Sequence, residues 1–312
     1  MKIAFLNKYQ DRVTRGAETF VAELSKRLSR HNKVDVISYI NYFDLYKGKY
    51  DVIIPTNGRF QVFLVRVVCS LTHAKMIVSG QSGMGWDDRL NLCSSPDTFV
   101  ALSSRALAWA RRVCPRVKSL YIPNGVDLSR FRPKDQSKKG KIKTVLAVGA
   151  FTEQKRLDLV ITAVSKLDNT RLVIAGGGGD LKEEITKRGL SILGVDRFKV
   201  LSVPFENMPG VYESADVFTL PSRPSESFGN VLVEAMATNL PVVATDDPVR
   251  REIVGDAGVF VDPEDSEAYA KALRSALDTN WGDKPRRQAE KFSWDKIAIE
   301  YEELIKKITN KK

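Results

Sequence analysis

Histidine and cysteine are scarce in this chain: its 312 residues hold two of the first and three of the second. His31 and His73 read as a helix-end charge and a surface residue; neither has a Ser or Cys partner in sequence, so a hydrolytic triad has no support. Cys69, Cys93 and Cys114 are odd in number, far apart and without metal-type spacing, which argues against a disulfide framework and a zinc site. Long apolar runs are missing too. The longest, residues 60–71, is broken by Gln61 and Arg66 and falls far short of the ~20 residues of a membrane span. The opening MKIAFLNKYQ has too short an apolar run for a secretory signal and reads as a first strand. These absences lead us to expect a protein of the reducing cytoplasm.

With 43% hydrophobic and 28% charged residues, the chain can bury a core of one large domain or two ordinary ones. Its net charge of +11 is unevenly spread. Residues 1–132 carry 21 Lys+Arg against 10 Asp+Glu, whereas residues 133–312 carry 28 against 28. A basic first part beside a neutral second part points to an anionic partner for the first: a phosphorylated acceptor, a membrane surface or nucleic acid. A solvated basic face is the plainer alternative.

Strand-like runs alternate with helical patterns almost throughout, the signature of parallel sheets covered by helices. KIAFL, VDVIS, DVIIP, KMIVS, TFVAL and KSLYI form a first series, and TVLAVG, RLVIAG, FKVLSV, DVFTLP, PVVAT and GVFVD a second. Between them residues 122–143 are rich in Pro, Gly and Lys and read as a linker. The expected fold is therefore α/β, with two doubly wound Rossmann-like domains at 1–132 and 144–292, joined by 133–143. Ser293 caps a final helix over 293–312 that crosses back to the first domain. Such sheets bind ligands at the carboxyl ends of their strands, so the two domains are expected to face one another across a cleft.

Five stretches hold candidate chemistry. In SESFGNVLVEAMA (225–237), Glu226 precedes a helix starting near Gly229, and Glu234 lies two turns in, sharing a face with Asn230 while Val231, Leu232, Ala235 and Met236 form the buried stripe. Gly229 lets a ligand approach the backbone N–H groups at the helix start, and a carboxylate can accept two hydrogen bonds from a diol such as a ribose. The competing reading makes Glu226 a cap and Glu234 a solvated helix residue. In VGAFTEQKR (148–156), Lys155 opposes the dipole of the following helix unless an anion pairs with it, and Arg156 could serve instead. The run Gly176 to Gly179, with Gly177 a candidate ligand contact, suits either phosphate approach or a flexible turn. In the first domain Gly16 opens a helix after the first strand, either cradling an anion or simply turning the chain. Gln81, Trp86 and Asp87 stand in a glycine-rich loop suited to carbohydrate or lipid headgroups, unless the Trp packs it down.

Taken together, these motifs resemble a retaining family 4 glycosyltransferase of GT-B fold. The likeness runs through residues 225–258, VGAFTEQKR, IAGGGGD (174–180), FVALS (99–103) and IPNGVDLSRFRP (122–133), nearly the full length. The resemblance implies that Glu226 contacts the donor sugar, Glu234 the ribose, the backbone at Phe228 and Gly229 the sugar or phosphate, Lys155 the diphosphate, and Gly16 the donor phosphate from the first domain. Asn230 falls among the donor contacts. It implies no metal and no cofactor, only a nucleoside-diphosphate sugar, UDP- or GDP-linked, as substrate. The basic first domain makes an anionic or lipid-linked acceptor at a membrane surface, and not nucleic acid, the expected one, with a cytoplasmic enzyme peripheral on the inner face. Three positions depart from the pattern: Ala150 replaces an Arg of the diphosphate site, Ser79-Gly80-Gln81 stands where a His is frequent, and Pro248-Val249 replaces Gly-Gly. A nucleotide-sugar epimerase, a phosphorylase or a non-catalytic nucleotide-sugar-binding subunit are the alternatives.

Overall fold

A computed structural model describes residues 1–10, 16–56, 58, 60–133 and 141–310. The chain divides into two compact units, residues 1–125 with 292–312, and residues 126–291.

The first unit alternates β1 (Lys2–Leu6), α1 (Gly16–Leu28), β2 (Lys33–Ile37), α2 (Tyr42–Lys47), β3 (Val52–Pro55), α3 (Phe60–Thr72), β4 (Lys75–Ser79), α4 (Trp86–Cys93), β5 (Thr98–Ala101), α5 (Ser104–Val113) and β6 (Ser119–Tyr121). Its six strands are all parallel in the order β2-β1-β3-β4-β5-β6. β1, β3 and β5 are buried along nearly their whole length because helices cover both faces of the sheet, which is why they read as continuous apolar runs. Burial pushes the Cys69 thiol, on the covered face of α3, up to about 12, so it behaves as a small apolar side chain.

The second unit continues with β7 (Lys143–Val148), a 3-10 turn (Glu153–Lys155), α6 (Leu157–Ser165), β8 (Thr170–Ala175), α7 (Lys182–Arg197), β9 (Phe198–Leu201), α8 (Met208–Glu213), β10 (Val217–Leu220), α9 (Asn230–Ala237), β11 (Val242–Thr245), α10 (Pro248–Val254), β12 (Gly258–Val261), α11 (Ser266–Asp278) and α12 (Lys284–Ala289). Its sheet is again six-stranded and parallel, in the order β12-β11-β10-β7-β8-β9.

The expected linker at 133–143 lies mostly outside the described residues, and the second unit begins ahead of it, at Val126. The segment 126–131 is anchored there by its own side chains. Phe131 packs on Tyr212 (ring centroids 5.7 Å apart), Arg130 donates to Phe205 O at 2.6 Å, and Arg286 donates to Phe131 O at 2.7 Å.

The last helix, α13 (Trp294–Thr309), belongs to the first unit. Ser293 caps it, as its sequence indicated, and Trp294, Ile297, Tyr301, Leu304 and Ile305 bury against Phe20, Leu24 and Ile3. Gly125 is required beneath it: a Cβ there would stand 2.6 Å from the Trp294 ring. Trp294→Ala should therefore cost about 3–5 kcal/mol of unfolding free energy. Ile299→Ala, on the exposed side of the same helix, should stay within about 0.5 kcal/mol of the parent in denaturant unfolding.

Candidate functional site

In the second sheet the strand order reverses between β7 and β10. Loops leaving neighbouring strands at such a point run apart and leave a crevice at the carboxyl edge. The loops concerned, 149–156 and 221–229, carry most of the expected donor residues.

The two loops are joined residue by residue. Arg223 N donates to Gln154 O at 2.9 Å and Arg223 pairs with Glu153 at 2.6 Å; Gln154 Nε2 donates to Ser225 Oγ at 2.9 Å. At the end of this series Lys155 Nζ donates to Glu226 Oε2 at 2.6 Å, both side chains being largely buried. The two expected catalytic residues thus form one ion pair, and Glu226 does not cap α9. Lys155 does not open α6 as its sequence position indicated. It ends the 3-10 turn; Arg156 follows in the left-handed region (φ 48°, ψ 43°) and α6 begins at Leu157. Its aliphatic stem lies over Gly149, where a Cβ would come within 3.3 Å of Lys155 Cδ.

Arg156 has another occupation than the one expected. Its guanidinium donates to Pro221 O at 2.7 Å, to Glu264 at 2.9 Å and, at longer range, to Ser222 O and Thr245 Oγ1. These bonds hold the 221–222 backbone, so Arg156 clamps the loop in this structure. A second clamp went unnoticed in the sequence. Arg250, fully buried, pairs with Asp247 at 2.7 Å and donates to Ser222 Oγ and Arg223 O. Asp247 in turn caps α10, where Pro248 takes a first-turn position that needs no N–H, so the departure at Pro248-Val249 fits a helix start.

Gly229 precedes α9 at φ 88°, ψ 67°, a conformation that strains any residue with a Cβ, and as the N-cap residue it has no side chain to offer the helix. The first-turn N–H groups of α9 therefore begin directly at the loop, where negative charge is favoured. Phe228 is buried, so any ligand contact from it must come through its backbone; Asn230 is half-buried at the first helical position. Glu234 is placed differently from the expected polar face. α9 is covered on nearly all sides, Val233 as well as Leu232, Ala235 and Met236 being buried, while Val231 is only half-buried. Glu234 is itself 7% exposed and accepts a hydrogen bond from Tyr212 Oη at 2.7 Å. Burial pushes its carboxyl up to about 7 from an ordinary 4.5, against the opposing pull of the Tyr212 hydroxyl and the Arg130 charge. Tyr212 and Arg130 come from distant segments that no local pattern connects to Glu234.

The glycine run owes part of its composition to packing. A Cβ on Gly176 would stand 2.0 Å from Gly149 O, and one on Gly179 2.2 Å from Phe151 O. Gly177 meets no such constraint and is exposed at the carboxyl end of β8.

In the first unit Gly16 is the exposed first residue of α1, while Thr14 and Arg15 lie outside the described residues. Gln81 is engaged by its own fold: its side-chain amide exchanges two hydrogen bonds with Asn124 (2.9 and 3.0 Å) and donates to Ser79 Oγ. Trp86 does not pack its loop down, being 70% exposed, and Asp87 is half-buried beside it at the start of α4. The anchor of that loop is Asp88, a residue the sequence did not single out. Its carboxyl is buried and accepts from Asn91 at 2.9 Å and from the backbone of Gly83 and Ser82; burial, reinforced by the Asp87 charge, pushes it up to about 7. Among the described residues, no three His, Cys, Asp or Glu side chains cluster as metal ligands would.

The model of the family "Glycosyl transferases group 1" matches residues 129–293, just over half of the chain. A phosphatidyl-myo-inositol mannosyltransferase of Mycolicibacterium smegmatis is 32% identical over 188 residues, covering 57% of this chain and 48% of that protein. The chain spans about half the length of the curated relatives it matches. Among solved structures, Anabaena HepE in complex with UDP and glucose superposes with a TM-score of 0.82 at 16% identity, over 98% of this chain and all of that one. Sucrose-phosphate synthase of Thermosynechococcus elongatus gives 0.79 at 19% identity, over the full length of both. These likenesses establish the GT-B fold expected from the sequence.

The Glu234 site generates a pH prediction. A carboxyl whose folded value stands near 7 against 4.5 unfolded takes up a proton on folding. The stability it contributes is therefore fully present below about pH 4.5 and is lost as pH rises through about 7. Unfolding free energies measured from pH 5 to 8 should fall for the parent relative to Glu234→Gln; parallel curves would contradict the assignment.

Proposed function

The chain belongs to the glycosyl transferases group 1 family, and on that premise we propose that it moves a hexose from a nucleoside-diphosphate sugar to an acceptor hydroxyl with retention at the anomeric carbon. The observation that carries this reading is the Lys155–Glu226 pair, held at the switch point of the second sheet beside the glycine-led start of α9.

In this reading the pair is a resting arrangement that the donor exchanges. The diphosphate takes Lys155 and the N–H groups of α9, Glu226 turns to the hydroxyls of the sugar, and Glu234 holds the ribose diol, with Gly177 and Asn230 bordering the nucleotide. The acceptor oxygen bonds to the anomeric carbon on the side from which the diphosphate departs. As the bond from that carbon to the phosphate oxygen breaks, the acceptor proton passes to a diphosphate oxygen, so no protein base is required. Charge on the leaving diphosphate is met by Lys155 and the helix dipole, a metal-independent arrangement. The donor is UDP- or GDP-linked: HepE is described with UDP and glucose, and the mycobacterial relative is named a mannosyltransferase.

The acceptor is lipid-linked or otherwise anionic, and the reaction takes place at a membrane surface on its cytoplasmic side. The first unit carries 24 Lys+Arg against 13 Asp+Glu, the second 25 against 25, and the relative named above acts, by its name, on phosphatidyl-myo-inositol. Trp86 and Asp87 remain acceptor-side candidates. One observation favours a second reading, a non-catalytic nucleotide-sugar-binding subunit: Ala150 stands in the sequence where the resemblance expects an arginine, and Arg156 is bonded to the 221–222 loop.

The test is a thermal-shift panel of UDP, GDP, ADP and CMP with their common sugars, in chelator and then with Mg²⁺. One nucleoside diphosphate should stabilise the protein without metal, by about 2.7 kcal/mol at 100 times its dissociation constant. Failure of every nucleotide would overturn the transferase reading; binding without transfer to any lipid or glycan acceptor would favour the non-catalytic subunit.

A further inference from the structure

α3 is apolar on both of its faces. Val62, Val65, Val68 and Cys69 pack into the core of the first unit. On the opposite face Phe60 is 82% exposed and Leu71 65%, with Phe63, Leu64 and Val67 exposed between them. Positions 60, 63, 64, 67 and 71 recur at helical spacing and form one stripe. α2 packs beside α3 and extends the stripe with exposed Phe43 and Tyr46. A helix of a water-surrounded protein turns a polar face outward, so an apolar stripe of this length marks a contact surface.

Basic groups adjoin one end of the stripe. Leu71 and Tyr46 line a cavity of about 610 Å³ together with Lys47, Lys49, His73 and Lys75. Lys47 Nζ lies 4.2 Å over the Phe43 ring, a cation held against the apolar stripe. Among the described residues the acidic groups nearby are Asp51 at the cavity, Asp35, bonded to the cavity-lining Tyr50 and near Lys2, Asp97, paired with Arg66 and Lys75, and Asp44 on α2.

We infer that the exposed face of α2 and α3 is a docking surface for an anionic lipid bilayer, the stripe entering the acyl boundary while Lys47 and Lys49 meet the headgroups. Apolar residues in a row, edged by lysines and lying on a unit with a charge excess of 11, match the chemistry of an interfacial helix on anionic lipid. The inference deepens the membrane-surface reading of the proposed function, but its observations do not involve the donor site.

The full chain is sedimented with vesicles of phosphatidylcholine alone and of phosphatidylcholine carrying about a third phosphatidylglycerol. Binding to the anionic vesicles only, weakened by salt, is expected. Leu64→Glu with Val67→Glu should reduce it at least tenfold, and Lys47→Ala and Lys49→Ala by about fivefold each. Ile299→Glu, an exposed apolar site on α13, should leave it unchanged. The nucleotide-induced thermal shift, read on every variant, reports folding and keeps the two proposals apart: nucleotide binding without vesicle binding overturns only the docking surface, and vesicle binding without nucleotide binding only the transferase. Equal vesicle binding by the Leu64/Val67 variant, or a dimer in lipid-free solution that this variant dissolves, would overturn the inference.

Discussion

Lys155 and Glu226 lie far apart in sequence and meet at 2.6 Å because two parallel strands, β7 and β10, are neighbours in one sheet while their following helices depart in different directions. Each side chain is held by a different device. The 3-10 turn and Gly149 fix the lysine; the clamps Arg156 and Arg250 fix the loop that carries the glutamate. An ion pair with side chains only 18% and 20% exposed must recover a substantial desolvation cost, and removing one partner strands the other. The site is consequently organised as a pair before any ligand arrives.

That organisation gives the neighbouring groups their meaning. The start of α9 contributes a fixed positive potential that needs no reorganisation, and Gly229 brings the chain into the helix through a conformation suited to glycine. Glu234 lies behind it, buried and bonded to Tyr212, whose ring packs on Phe131 and Phe218. A carboxyl balanced near neutrality in such a place gains from a ligand that donates two hydrogen bonds, since these favour its ionised form. The ion pair and the bonds that fix it therefore lie on the same two loops.

Much of the fold was legible in the sequence because buried parallel strands leave continuous apolar runs. KIAFL and KMIVS matched β1 and β4 residue for residue, and the other strands shifted by a residue or two at their ends. The return of α13 was readable from Ser293 and Trp294. Tertiary pairing was not. Lys155 looked like a cation awaiting an anion, and its anion is Glu226. Arg156 looked like a spare cation, yet backbone oxygens of a distant loop consume it. Helical periodicity put Glu234 on a polar face, but α9 is enclosed on nearly all sides and that periodicity loses its meaning there. Asp88, Arg250, Tyr212 and Arg130 carry no local signature, since their partners come from the folded arrangement.

The most direct measurement on the central pair is a double-mutant cycle in nucleoside-diphosphate affinity, using the parent, Lys155→Ala, Glu226→Gln and the double variant. If the glutamate holds the lysine until the donor displaces it, Lys155→Ala weakens binding by about tenfold or more, Glu226→Gln leaves it equal or tighter, and the double variant matches Lys155→Ala. Two single losses of similar size that add in the double variant would mean that the residues contact the nucleotide independently, and would contradict the account.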